Sequence, residues 1–160
     1  MSNAAVEIRC ATRQDLPAIE RITAEVFQPV ALESRVEQVL GRSDGVGWLA
    51  LKMAVTATEI DKLPDGCFVA VEAGEVIGFV TNVIFLMARR GYISSLAVRA
   101  GCQGRGVGRA LVSRSLDYFR GSGLKQAKID TLVTNQVGQH LYPAMGFQEA
   151  TRAIHYVMPL

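Results

Sequence analysis

The sequence predicts an α/β fold (α+β by some conventions), with a mixed central sheet of six or seven strands flanked by about four helices. Three observations carry this reading. Three apolar stretches between residues 67 and 98 are joined by turns of a few residues each, the pattern of an antiparallel meander. The strand ending at Val98 is followed by a glycine-rich turn, a helical pattern and another strand pattern, and that series implies a parallel crossover. The chain has 160 residues, 49% of them apolar and 20% charged, which is enough for one sizeable core. No repeat, low-complexity tract or second domain is visible, so residues 1–160 are expected to form one domain. Ser2-Asn3-Ala4 reads as a cloning scar and is set aside.

The elements follow in order. Val6 to Ala11 alternates weakly and reads as a first strand. Thr12 and Asp15 have the spacing of a capping box, and Leu16, Ile19, Ile22 and Val26 then recur at helical intervals. Pro29 interrupts, Leu32 to Leu40 makes a second helix, and Gly41 ends it. Ser43 to Asp65 is the least readable part: Trp48, Leu51 and Val55 fit a helix, but the run Val55-Thr56-Ala57-Thr58 weakens it. Pro64-Asp65-Gly66 is a turn, because proline presets φ and glycine accepts the strained position. Cys67–Val71 and Val76–Phe85 are strands around Ala73-Gly74, and Tyr92–Val98 is a third after the turn Arg89-Arg90-Gly91. A helix runs to about Phe119, Gly121-Ser122-Gly123 ends it, and Ala127–Val133 is a strand. A short helix from Asn135 towards Met145 stops at Gly146, and Phe147–Met158 is expected as a long last strand whose edge could pair with a second copy.

Composition excludes several functions. A net charge of +2 is too small to argue for nucleic acid or an anionic membrane as partner. The longest apolar run, Val83 to Ala88, is far short of the roughly 20 residues that span a bilayer. No secretory pattern is read at the start. The three cysteines (Cys10, Cys67, Cys102) are odd in number and lack metal-ligand spacing, so reduced thiols, a cytoplasmic location and no metal are expected.

The stretch "RAGCQGRGVGRAL", Arg99 to Leu111, is the most informative. Glycine costs about 1 kcal/mol in a helix interior relative to alanine, so a glycine cluster running into a helix marks a place where bare backbone is required. The turn from Gln103 to Gly108 joins a strand's carboxyl end to a helix's amino end. Unpaired N–H groups and the helix dipole favour a phosphate or pyrophosphate there, with Arg105 and Arg109 adding charge. No lysine follows the loop, which removes the P-loop pattern, and the third glycine of a dinucleotide fingerprint is absent.

This segment resembles the GNAT superfamily of acetyl-CoA-dependent N-acetyltransferases. The signature [Gln/Arg]-x-x-Gly-x-[Gly/Ala] stands complete as Gln103-Gly104-Arg105-Gly106-Val107-Gly108, led in by "LAV" (Leu96, Ala97, Val98) and followed by "RAL" from Arg109. The stretch "TNQVGQHLYPAMGF", Thr134 to Phe147, is similar to the family's asparagine, helical Leu-Tyr and terminal Gly-Phe pattern, and the order of elements agrees over nearly the whole chain.

The resemblance implies an acetyl-CoA site and transfer of the acetyl group to a primary amine by direct attack in a ternary complex. Backbone groups of Leu96 and Val98, on either side of Ala97, would hold the pantetheine arm like an added strand. Amides from Gln103 to Arg109 would cradle the pyrophosphate, and Asn135 would bond the pantetheine or simply cap the last helix. Tyr142, seven residues after Asn135, matches the family's general acid to the leaving thiolate, although Pro143 disfavours helical geometry at it. Read without the family, Tyr142 is an amphipathic core tyrosine.

Many relatives carry a basic carboxylate on the strand before the glycine loop, where this chain has Ser94 and Ser95. Similarity to the bacterial ribosomal-protein alanine acetyltransferases points instead to Asp130, working through a water. Its bland reading is a surface salt bridge. Glu72 and His155 are reserves. Substrate choice is expected to fall to Phe27–Leu32, Ser43–Asp65 and Ala153–Tyr156, and no acidic cluster marks a polycationic substrate. The acceptor is a small amine or a peptide or protein amine. The competing reading is an acyl-CoA-binding or sensing module with weak turnover.

Overall fold

The structure is a computed structural model and describes residues 5–160; Ser2-Asn3-Ala4 lies outside the described residues. Five strands form one sheet in the order of the chain: β1 (Glu7–Cys10), β2 (Phe68–Glu72), β3 (Glu75–Phe85), β4 (Arg90–Val98) and β5 (Gln126–Ile129). The first four pair antiparallel, and β5 lies parallel to β4. The sheet is thus the meander plus one crossover, as the sequence pattern implies.

Five helices cover it: α1 (Leu16–Val26), α2 (Leu32–Leu40), α3 (Trp48–Lys62), α4 (Val107–Gly121) and α5 (Gln136–Ala144). The capping box before α1 forms. The Asp15 carboxylate accepts from Thr12 N at 2.8 Å and is held by Arg9 at 2.7 and 2.9 Å. The poorly readable segment is mostly α3, where packing of Ile60, with partly buried Met53, into the core overrides the weak propensity of its β-branched run.

Side chains alternate across the sheet into two cores. Phe68, Ile77, Val80 and Ile93 face Leu111, Val112 and Phe119 of α4. Val69, Phe79 and Ala97 face Ile19 and Ile22 of α1 and Ile60 of α3. Gly91 is required by the first layer, since a Cβ there would lie 2.4 Å from the Phe119 ring.

Two expectations are corrected. The strand Ala127–Val133 shortens to Gln126–Ile129, and the strand Phe147–Met158 does not form. From residue 148 onward the chain is exposed and unpaired, and Met158, Pro159 and Leu160 lie against α2 and the start of α3, lining a cleft of about 410 Å³. Apolar alternation stabilises a strand only where a partner supplies hydrogen bonds and cross-strand contacts, and here none does. The sheet therefore has five strands instead of six or seven, and the edge imagined for a second copy is missing.

Candidate active site

The site begins where two parallel strands part. β4 and β5 pair only from Arg90 and Gln126 to Ile93 and Ile129, so β4 continues from Ser94 to Val98 without a partner on that side. At the same point the β3–β4 register shifts: Thr81 pairs with Ser95 and Asn82 with Ile93, which leaves Ser94 as a bulged residue. Beyond the bulge Arg99 N donates to Ile77 O at 2.9 Å. Backbone groups alternate along a strand, so Ala97 also faces β3 while Leu96 and Val98 face the open side. Leu96 N, Leu96 O and Val98 N are thereby offered to an added strand. Val98 O is already taken, because Gln103 Nε2 donates to it at 2.9 Å.

That bond turns the chain out of β4 into the glycine loop. Gly104 and Gly106 have φ of +73° and +84°, the left-handed region that an L side chain rarely adopts, and a Cβ at either would meet nothing within 4 Å. The loop thus combines backbone strain with open space. Gly106 is the N-cap of α4, with no side-chain cap and no acidic residue in the first turn, so the amides of Val107, Gly108 and Arg109 start a 15-residue helix uncapped. These features fit a pyrophosphate. The arginines divide: Arg105 is ion-paired with Glu72, whereas Arg109 is exposed and has no carboxylate partner among the described residues. Glu72 is ion-paired to that same arginine, which holds its carboxyl below the usual carboxylate range and makes it a weaker base.

α5 closes over this end. A Cβ on Gly108 would sit 3.7 Å from Leu141 and 3.8 Å from Val98, so β4, α4 and α5 converge one residue from Tyr142. Asn135 is the N-cap: its Oδ1 accepts from Gly138 N at 3.2 Å, and its Nδ2 donates to Thr131 Oγ1 at 2.9 Å. The capping alternative for Asn135 is therefore realised. α5 runs through Tyr142 and Pro143, and Met145 N closes back to Leu141 O, so the proline sits in the last turn without breaking the helix before it. The Tyr142 ring packs edge-on against Phe147 at 6.1 Å. Burial pushes its phenol up to about 12, so the hydroxyl stays protonated throughout the physiological range.

Asp130 follows β5 at the point of divergence. It is exposed, Lys128 Nζ donates to it at 3.0 Å and Tyr92 OH at 3.2 Å. Its geometry is that of the salt-bridge reading, and a base here would have to act through a water. His155 lies in the exposed terminal segment, off the sheet.

The structure adds a carboxylate that sequence spacing did not bring forward. Glu59 on α3 is 8% exposed, and its Oε1 accepts a hydrogen bond from the bulged Ser94 Oγ. It therefore stands where the strand itself carries only serines. Beside it opens a pocket of about 610 Å³ between α3 and β3, walled by Val55, Leu63, Val83 and Ile84 with Lys62 among the lining residues. The only hint in the sequence was a glutamate inside a helix whose register could not be read.

A five-stranded mixed sheet with a parted β4/β5 pair and a glycine loop before α4 defines the acetyltransferase type of α/β protein. The pattern of the Acetyltransferase (GNAT) family matches residues 34–147, and the chain belongs to that family. It is 31% identical over 97 residues to N-alpha-acetyltransferase MAK3 of Arabidopsis thaliana, covering 59% of this chain and 51% of that one. The chain thus spans about half the length of that relative. The fold is shared with PaiA N-acetyltransferase from Thermoplasma acidophilum in complex with coenzyme A (TM-score 0.75, 19% identity, 92% of this chain and 93% of that one). It is shared too with the ribosomal-protein-S18-alanine N-acetyltransferase from Escherichia coli (TM-score 0.67, 20% identity, 92% and 80%). No helix among the described residues is long and apolar enough to cross a membrane.

Proposed function

We propose that the chain is a single N-acetyltransferase domain that moves the acetyl group of acetyl-CoA to a primary amine. The observation that carries this reading is the unpaired β4 edge leading into an uncapped helix start: one ligand with an amide-bearing arm and a pyrophosphate suits both. Leu96 and Val98 bind the arm through backbone, and amides from Gln103 to Arg109 bind the phosphates. Asn135 holds the Thr131 loop against α5 beside them.

Acetyl-CoA supplies an activated thioester carbonyl. Val98 N, unpaired on the open edge, polarises that carbonyl, and Tyr142 donates its proton to the departing thiolate. The amine attacks directly, so no nucleophilic cysteine is needed; Cys102 is buried, with Arg99 Nη2 at 3.7 Å from its sulfur. The amine must lose a proton first. Asp130 can receive it only through water, given its ion pair with Lys128.

Calorimetric titration of the full chain with acetyl-CoA, CoA, ATP and NAD tests the reading. Saturable binding of the first two alone is expected, followed by acetylation in an amine screen. Tightest binding of ATP, or no binding at all, would sink it. Binding of acetyl-CoA without turnover on any amine leaves the sensing module, the reading that a misaimed Tyr142 would favour.

A further inference from the structure

Five buried side-chain oxygens have no partner among the described residues: Thr56 Oγ1, Glu59 Oε2, Thr81 Oγ1, Asn82 Oδ1 and Ser95 Oγ. All lie on α3, β3 and β4, and four of them gather under α3, whereas Asn82 turns its amide to Ser115 of α4 on the other face of the sheet. Thr56 is one turn before Glu59 on α3, Thr81 pairs with Ser95, Asn82 follows Thr81, and Ser94 bonds Glu59. Buried polar atoms without partners are rare, and each calls for a missing hydrogen-bond partner. The demand is greatest at Glu59. A carboxylate so far out of water is costly unless a cation or donors meet both oxygens, and only Oε1 is met. Two lysines of the same helix, Lys52 and Lys62, form no ion pair with Glu59, and the Lys52 ammonium lies over the Phe27 ring at 5.4 Å from the centroid.

We infer that Glu59 is the carboxylate that receives the acceptor amine, and that the acceptor is a primary amine carried on an apolar group. This rests on the acetyl-transfer reading and names the base and substrate class of that site. The pocket beside Glu59, about 610 Å³, has an apolar wall of Val55, Leu63, Val83 and Ile84, and its volume suits one or two side chains. Glu59 is its one carboxylate, and Lys62 also lines it, so a second ammonium on the ligand meets repulsion in place of a partner. That charge pattern selects against polyamines and aminoglycosides.

The ammonium arrives as R–NH3+ and gives one proton to Glu59, leaving R–NH2 and the neutral acid. The nitrogen lone pair then forms the C–N bond to the thioester carbonyl as the C–S bond breaks with its electron pair on sulfur. Tyr142 protonates the thiolate and regains a proton from the nitrogen, and Glu59 releases its proton to water. Ser94 is a positioning residue: its hydroxyl fixes the Glu59 rotamer so that Oε2 is left for the substrate.

The test compares the full-length wild type with Glu59→Gln, Glu59→Ala and Asp130→Asn. Acceptors are a peptide with a free apolar N-terminus, 2-phenylethylamine, spermidine and an aminoglycoside. Glu59→Gln is expected to lose about 10²- to 10³-fold in kcat/KM, with CoA affinity and Tm retained. Titration of the peptide into the CoA-saturated protein should show at least about tenfold weaker binding in Glu59→Gln, one decade being about 1.4 kcal/mol. Should Glu59→Gln fold poorly, partial rescue of Glu59→Ala by formate decides, because a structural role would not respond to a small carboxylate. Turnover of peptide or phenylethylamine well above spermidine and the aminoglycoside supports the substrate class, and the better of the two tells a chain N-terminus from a small metabolite. Glu59→Gln within about threefold of wild type, or Asp130→Asn as the larger loss, overturns the inference while leaving acetyl transfer intact. A wild type that binds acetyl-CoA but acetylates nothing overturns the underlying reading instead.

Discussion

The turn before α4 and the polar cluster beneath α3 do complementary work and are built from opposite materials. The first is backbone: Gly104 and Gly106 in left-handed conformations, an open helix start and the free edge of β4. The second is side chain: Glu59 from α3 and Ser94 from a bulge in β4, far apart in sequence. A backbone site needs special residues in a row and so writes a contiguous signature. A side-chain site needs only that the fold bring ordinary residues together, and it writes none.

Substitutions can break that contrast. The largest effect is expected at Gly106→Asp. A side chain at φ +84° carries about 1–2 kcal/mol of left-handed strain, and its carboxylate would stand where we propose the pyrophosphate to bind. CoA affinity should fall roughly 100-fold or more by calorimetry, equivalent to about 2.8 kcal/mol. A Glu59 variant should leave the same titration unchanged, and if both weaken CoA equally the two regions are one site after all.

Tyr142→Phe comes next. Loss of this proposed acid should cost about 10²-fold in kcat, read from steady-state rates, with CoA affinity preserved. Asn82→Ala tests the opposite, α4-facing side of β3 as structure. Asn82 is buried and donates to Gly66 O at 2.6 Å and Ser115 Oγ at 2.8 Å, so leaving those acceptors unmet should cost about 1–3 kcal/mol in urea unfolding. A change below about 0.5 kcal/mol would show these two bonds to be hydrated and loosely held.

A pH series sharpens the point about burial. Cys67 is raised from an ordinary 9.0 to about 11, and Tyr92 and Tyr142 from 10.0 to about 12, with burial as the first cause in each. The folded protein therefore holds these protons where the unfolded chain has lost them. Stability from these groups is full below pH 9 and falls as pH rises from 9 to 12. Denaturation midpoints should show that decline, and Tyr142→Phe should make it shallower; a midpoint flat to pH 12 contradicts the burial of all three. The smallest effect is expected at Asp130→Asn, an exposed ion pair worth at most about 1 kcal/mol, with unfolding midpoints nearly unchanged.

Much of the fold could be read from particular residues. The Thr12–Asp15 box, the turn at Gly74 and the motif from Gln103 to Gly108 act within a few residues, and each appears where local rules place it. The turn at Gly66 forms as well, but its glycine is not left-handed; it is needed because a Cβ there would lie 2.6 Å from Leu63 and Tyr118. The last strand failed for the complementary reason. Phe147 to Met158 has the alternation of a strand, but alternation says nothing about whether a neighbour's edge is free and near. The substrate side was illegible for the same cause, since Glu59 lay in the stretch whose periodicity was weakest.

By itself the sequence determined the class of sheet, the crossover, the phosphate-suited loop and the tyrosine on α5, because these depend on backbone geometry and short-range spacing. Only the tertiary structure decided that Arg105 is spent on Glu72 and Asp130 on Lys128, and that Glu59 stands beside Ser94 with an oxygen to spare. The Arg105–Glu72 and Ser94–Glu59 contacts join residues 33 and 35 positions apart, and packing alone sets those distances; Lys128 and Asp130 are two apart, and the exposed end of β5 leaves them to pair.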